Sequence, residues 1–142
     1  MTIVAIATAA GCHPPHEDHY VAPEGSCELT ADFEVPAAAT PIDTFAYRLG
    51  TGMYAEIDLE IGDTAELVAH FEASGAAVDW NLHTHAADGE VILHEEGSGA
   101  VGTVDRADLE PDLYSLMYSG RGPVDATLCV GVYAAGDVEL VP

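Results

Sequence analysis

From Met53 to Ile61 apolar and polar side chains alternate without a break: Met53, Ala55, Ile57, Leu59 and Ile61 against Tyr54, Glu56, Asp58 and Glu60. A period of two sorts such a segment onto the two faces of a strand; on a helix the same apolar residues would scatter around the axis. The pattern recurs. Ala65, Leu67, Ala69 and Phe71 alternate with Glu66, Val68, His70 and Glu72. A run this short also suits a helix, but the alternation favours a strand. Leu29, Ala31, Phe33 and Val35 alternate with Thr30, Asp32 and Glu34, and Asp43 to Leu49 reads as a weaker strand. Further strands are expected at 77–86, 90–96, about 100–104, 113–118 and 126–134, with a short one at 137–141. Turn signals separate them: Gly62-Asp63-Thr64, Ser74-Gly75, Asp88-Gly89, Gly97-Ser98-Gly99, Pro111-Asp112 and Ser119 to Pro123. No segment carries a helical period, and no internal repeat is present. About eight short strands at this spacing predict an all-β domain, a single antiparallel β-sandwich, with a barrel as the alternative.

Size and charge narrow the function. At 142 residues the chain makes one domain that can bury a true core. It holds 25 Asp and Glu against 3 basic residues, all arginine, for a formal charge of −22. Nucleic-acid binders neutralise phosphates with Lys and Arg, so that class is excluded. An anionic membrane surface repels the chain for the same reason. The acids are scattered, which suits a solvated surface; the same field also concentrates cations around the protein. No apolar run reaches the ~18 residues of a membrane-spanning helix.

Ile3 to Ala10 is a short run of small apolar residues that leads into Ala9-Ala10-Gly11-Cys12. It resembles the end of a bacterial secretory signal with a lipobox, in which small residues precede the cysteine that is acylated and becomes the first residue. The resemblance implies a signal-like segment at 1–11 and a lipid on Cys12. It also implies a periplasmic or cell-surface location, with the membrane reached only through that lipid. The alternative is an apolar first strand with a buried Cys12. Residues 12–26, rich in Pro, acid and His, read as an extended tether, and the folded domain is expected over 27–142. With Cys12 set aside, Cys27 and Cys129 remain of the 3 cysteines. An oxidising compartment allows them to bridge; two separate buried thiols are the alternative.

Asp88-Gly89 between two strands is a hairpin signal. With these residues as the loop, His85 faces Ile92 and His83 faces His94. One face then carries Trp80, Leu82, Val91 and Leu93, and the other Asn81, His83, His85, Ile92, His94 and Glu96. Residues two apart on a strand lie about 7 Å apart at the backbone, and a facing residue about 5 Å away. Three neutral imidazoles converging on one point suit Zn or Cu, with Asn81, Glu96 or water in a fourth position. The competing reading is an exposed polar face that tolerates His. His13, His16 and His19, with Glu17 and Asp18 among them, are either a second, weaker metal-binding cluster or an accident of tether composition.

Two family resemblances bear on this region. Gly62-Asp63-Thr64, Val78 to His83 (VDWNLH), Asp112 to Tyr118 (DLYSLMY) and Pro123 to Val130 (PVDATLCV) resemble the GOLD, or emp24-like, β-sandwich from about Ala55 to Val141. That family implies an interaction module with a protein partner and no catalysis. His83-x-His85, followed by Glu90 and Gly97, is similar to the first motif of cupin barrels, where those His and Glu bind a metal inside the barrel. No His follows His94, so the second cupin motif lacks its ligand, and the sandwich is the preferred expectation.

No Gly-x-Ser-x-Gly, phosphate loop or dinucleotide fingerprint is present. The sequence therefore points to a non-catalytic, secreted or lipid-anchored sandwich that binds a transition-metal ion or a protein partner. The alternatives are a small cupin-like metalloenzyme, with Glu90 or Glu96 as base on metal-activated water, and a purely structural module.

Overall fold

The computed structural model describes residues 20–30, 33–120 and 125–141; the signal-like segment, Cys12, His13, His16 and His19 lie outside the described residues. Among the described residues there are nine strands and no helix. The strands are β1 (Thr40–Gly50), β2 (Tyr54–Ile61), β3 (Ala65–Ser74), β4 (Val78–His85), β5 (Val91–Gly99), β6 (Val101–Leu109), β7 (Asp112–Gly120), β8 (Asp125–Ala135) and β9 (Val138–Val141). They form two antiparallel sheets, ordered β1-β8-β3-β6 and β5-β4-β7-β2-β9, packed as a β-sandwich. The chain changes sheet at every connection except β4 to β5, the one hairpin made by consecutive strands.

The alternation sets the core. In β2, Ala55, Ile57, Leu59 and Ile61 point inward and are buried; in β8, Ala126, Leu128, Val130, Val132 and Ala134 do the same. Phe71, Leu82, Leu116 and Tyr118 fill the space between the sheets. Cutting one such leucine to alanine typically costs ~2–5 kcal/mol through lost burial and the cavity left behind.

The N-terminal segment differs from expectation. The described residues of Leu29 to Val35 form no strand, and docking begins before Cys27. Tyr20 pairs with Tyr54 in a parallel bridge, and the Val21 N–H donates to the Tyr54 carbonyl at 2.8 Å. The Glu24 N–H donates to the Ala46 carbonyl at 2.7 Å, and the Ala46 N–H to the Gly25 carbonyl at 3.0 Å. A disulfide then joins Cys27 to Cys129 of β8, Cα atoms 6.0 Å apart. Leu29 lies over Gly131, where a Cβ would come within 2.6 Å of Leu29 Cδ1. Thr30 donates its N–H and hydroxyl to Glu72 at 2.9 Å each. Leu29 and Phe33 pack onto the outer face of β8 and β3 as a strap, where His70 beneath Phe33 and Val68 are buried too.

Candidate functional site

The β4–β5 hairpin decides which imidazoles meet. Its loop has three residues, Ala87-Asp88-Gly89, closed by Ala86 and Glu90, whose N–H and carbonyl bond at 2.8 Å. Gly89 sits at φ +89°, a conformation that favours glycine and ends such loops. The odd loop sets His85 opposite Val91, Thr84 opposite Ile92 and His83 opposite Leu93. An extra residue then enters β5, and beyond it Leu82 faces Glu95 and Asn81 faces Glu96. That extra residue is His94. A slip of one residue exchanges the faces of a strand, and a bulge restores them.

Two expectations are corrected by this register. Val91 and Leu93 stand on the outer face beside the histidines, not in the core, and Ile92 lies opposite buried Thr84. His94 turns to the other side: its Nε2 is 2.9 Å from Thr84 Oγ1, and its ring lies 5.4 Å from that of Tyr114. Its carbonyl accepts a bond from Arg106 Nη1 at 3.2 Å. His83 and His85 stay together, ring centroids 5.1 Å apart and planes perpendicular at 89°. Glu96 keeps the outer face, one rung along, opposite Asn81. Among the described residues no three His, Cys, Asp or Glu side chains are placed to hold a metal ion. Glu90 ends the exposed loop, and the two histidines face away from the sandwich interior rather than into it.

What the outer face does form is a hollow of about 560 Å³ over β4, β7 and β2. Its central rung runs from His83 to Ser115 to Asp58. The Ser115 hydroxyl donates to Asp58 Oδ1 at 2.8 Å. The next rung carries Asn81, Met117 and Glu56. Tyr20 of the N-terminal segment closes that end, its hydroxyl donating to Glu56 Oε1 at 3.1 Å and its ring 5.9 Å from Tyr54. The Tyr20 phenol is pushed up to about 12, by burial first and then by Glu56, so it stays protonated. Val91, Leu93 and Leu113 form an aliphatic rim and are 56%, 48% and 48% exposed. Among the described residues no Lys or Arg lines the hollow.

His83 is the unusual member. It stands on the outward face yet is only 5% exposed. Its Nδ1 lies 2.6 Å from Asn81 Oδ1. An amide oxygen only accepts, so Nδ1 carries the proton and Nε2 presents a lone pair. That Nε2 meets no hydrogen-bond partner among the described residues. Burial holds the His83 pKa below its ordinary value; His85 adds to the effect and Asp58 opposes it. The ring is therefore a neutral acceptor sunk in the floor. His85 is exposed, its Nδ1 reaching the Gly89 carbonyl only at 3.5 Å.

Asp58, Ser115 and Tyr20 were not marked by any motif. Asp58 reads only as one polar residue of an alternating strand, and its neighbours come from strands distant in sequence. Comparison with models of known protein families finds no match for this chain, and comparison with curated proteins finds none.

Proposed function

We propose that the protein is a non-catalytic binding module working outside the cytoplasm, secreted or held by a lipid on Cys12, and that the hollow around His83 captures a cation. The carrying observation is Nε2 of His83, which has no hydrogen-bond partner among the described residues and shares a rung of the outer face with the Asp58 carboxylate. Lone pair and carboxylate both accept, and among the described residues no Lys or Arg lines the hollow to satisfy them. The charge of −22 adds a long-range pull on cations and repels anions. The Cys27–Cys129 bridge supports an oxidising compartment, and the lipobox-like run supports the anchor. The Ser115 proton goes to Asp58 rather than to an imidazole, which supports a site without an activated nucleophile. The GOLD-like motifs agree with an interaction module.

A zinc or copper ion in this hollow would take Nε2 of His83 with His85 beside it, two nitrogens in place of three. Calorimetric titration of the full chain with each metal tests this, set against His83→Ala and against a His13→Ala, His16→Ala, His19→Ala triple variant. Binding lost in the first and kept in the second supports capture in the hollow. The reverse puts the metal on the N-terminal cluster. No binding of any cation, metal or organic, to the folded chain overturns the proposal.

A further inference from the structure

We infer that the ligand of the hollow is an alkylammonium ion, its head on the His83–Asp58 floor and its aliphatic chain along the Val91, Leu93 and Leu113 rim. This rests on the reading that the hollow captures a cation, and narrows that cation to an organic one. Three features point the same way. The first is size. A hollow of about 560 Å³ suits a small organic molecule, whereas a metal ion fills little of it. With no third metal-ligating group converging among the described residues, a metal would also be held by few bonds.

The second feature is the floor. His83 Nε2 offers a lone pair, and Asp58 keeps acceptor capacity beyond the one bond it takes from Ser115. A primary ammonium carries three N–H donors on one compact positive head, so it suits acceptors of both kinds. An anion is repelled by the Asp58 and Glu56 carboxylates, and an alcohol supplies a donor without the charge. The third feature is the rim. Three large aliphatic side chains stand about half exposed around a polar floor. A bare inorganic cation leaves them in water; a carbon chain attached to the cation covers them. Each methylene so buried strengthens binding by about fourfold.

A diamine or polyamine in solution and a lysine side chain of a partner share this chemistry. Titration of the full chain with hexylammonium, at low ionic strength, tests it, with methylammonium, hexanol and hexanoate alongside. Hexylammonium is expected to bind at least about tenfold tighter than methylammonium or hexanol, and hexanoate not to bind. Asp58→Asn should weaken hexylammonium about tenfold. Leu93→Ser, at an exposed position that spares the fold, should weaken hexylammonium and leave methylammonium unchanged. Equal binding of hexanol and hexylammonium, or no dependence on chain length, overturns the inference. Zinc bound at His83 with no hexylammonium binding also overturns it but leaves cation capture standing. Neither ligand binding to a folded chain overturns both. In a second arm, 1,5-diaminopentane against acetyl-lysine amide tells which source the hollow prefers, and either preference supports the class.

Discussion

The Phe33 ring lies flat on the His70 imidazole, centroids 4.1 Å apart and planes within 7°. This stack fastens the strap to the outer face of β3. Beneath it His70 is 2% exposed, with Nδ1 2.7 Å from Thr103 Oγ1. Among the described residues its Nε2 has no hydrogen-bond partner, and it sits 3.6 Å from Glu72 Oε2. Glu72 is the same carboxylate that accepts from Thr30 of the strap. Packing of the strap and protonation of His70 are therefore coupled.

Mild acid should loosen the protein. Burial lowers the His70 pKa below 6.5, with Glu72 opposing, and burial lowers that of His83 too. The unfolded chain then binds more protons than the native one just below that value. The stability these rings contribute is complete above 6.5 and is lost as pH falls through their lower, native-state values. Melting temperature measured from about pH 8 to about pH 5 should fall below 6.5, and fall less in His70→Leu. A melting temperature that is flat over this range refutes it.

Reduction of Cys27–Cys129 should destabilise the whole domain, because the bridge closes a sequence separation of 102 residues. Chain entropy puts the loss at about 4–5 kcal/mol. A Cys27→Ser, Cys129→Ser variant should melt well below the parent, and proteolysis should cut first between Cys27 and Val35. Initial cleavage elsewhere would show that the strap does not depend on the bridge.

His94→Ala should leave ligand binding in the hollow unchanged, because the bulge carries that ring to Thr84 and Tyr114. Loss of the Thr84 bond should lower stability by about 1 kcal/mol. Calorimetry on His94→Ala beside His83→Ala checks this; equal loss of binding in both would restore the three-histidine arrangement.

The same hairpin shows where sequence reading succeeds and stops. Alternation in β2 and β8 gives both faces correctly, since Ile57, Leu59, Val130 and Val132 need no partner to be assigned inward. At β5 it cannot, because Val91-Ile92-Leu93 is continuously apolar and fits either face. A two-residue loop of Asp88-Gly89 and a three-residue loop ending at Gly89 use the same letters, yet differ by one residue of register. The His83–Ser115–Asp58 rung joins three strands that are not consecutive in the chain, so no local spacing announces it. The strap departs from its strand-like pattern for a related reason: Leu29 and Phe33 use their alternation on a sheet surface, without pairing as a strand.

Salt should move stability and binding in opposite directions. The charge of −22 is spread over a chain of 142 residues whose cations are 3 arginines, and Arg106 is already 3.7 Å from Glu95. Mutual repulsion among the carboxylates opposes the compact state, and screening relieves it. Raising potassium chloride from about 0.05 M to about 1 M shortens the screening length from more than 10 Å to about 3 Å. The melting temperature should therefore rise across that range. Attraction between the hollow and an ammonium head is screened by the same ions, so hexylammonium affinity should fall as the fold gains stability. Hexanol, uncharged, should show no such loss. Melting curves and titrations in one salt series check both signs together, and a melting temperature that falls with salt would show that carboxylate repulsion is not what limits this fold.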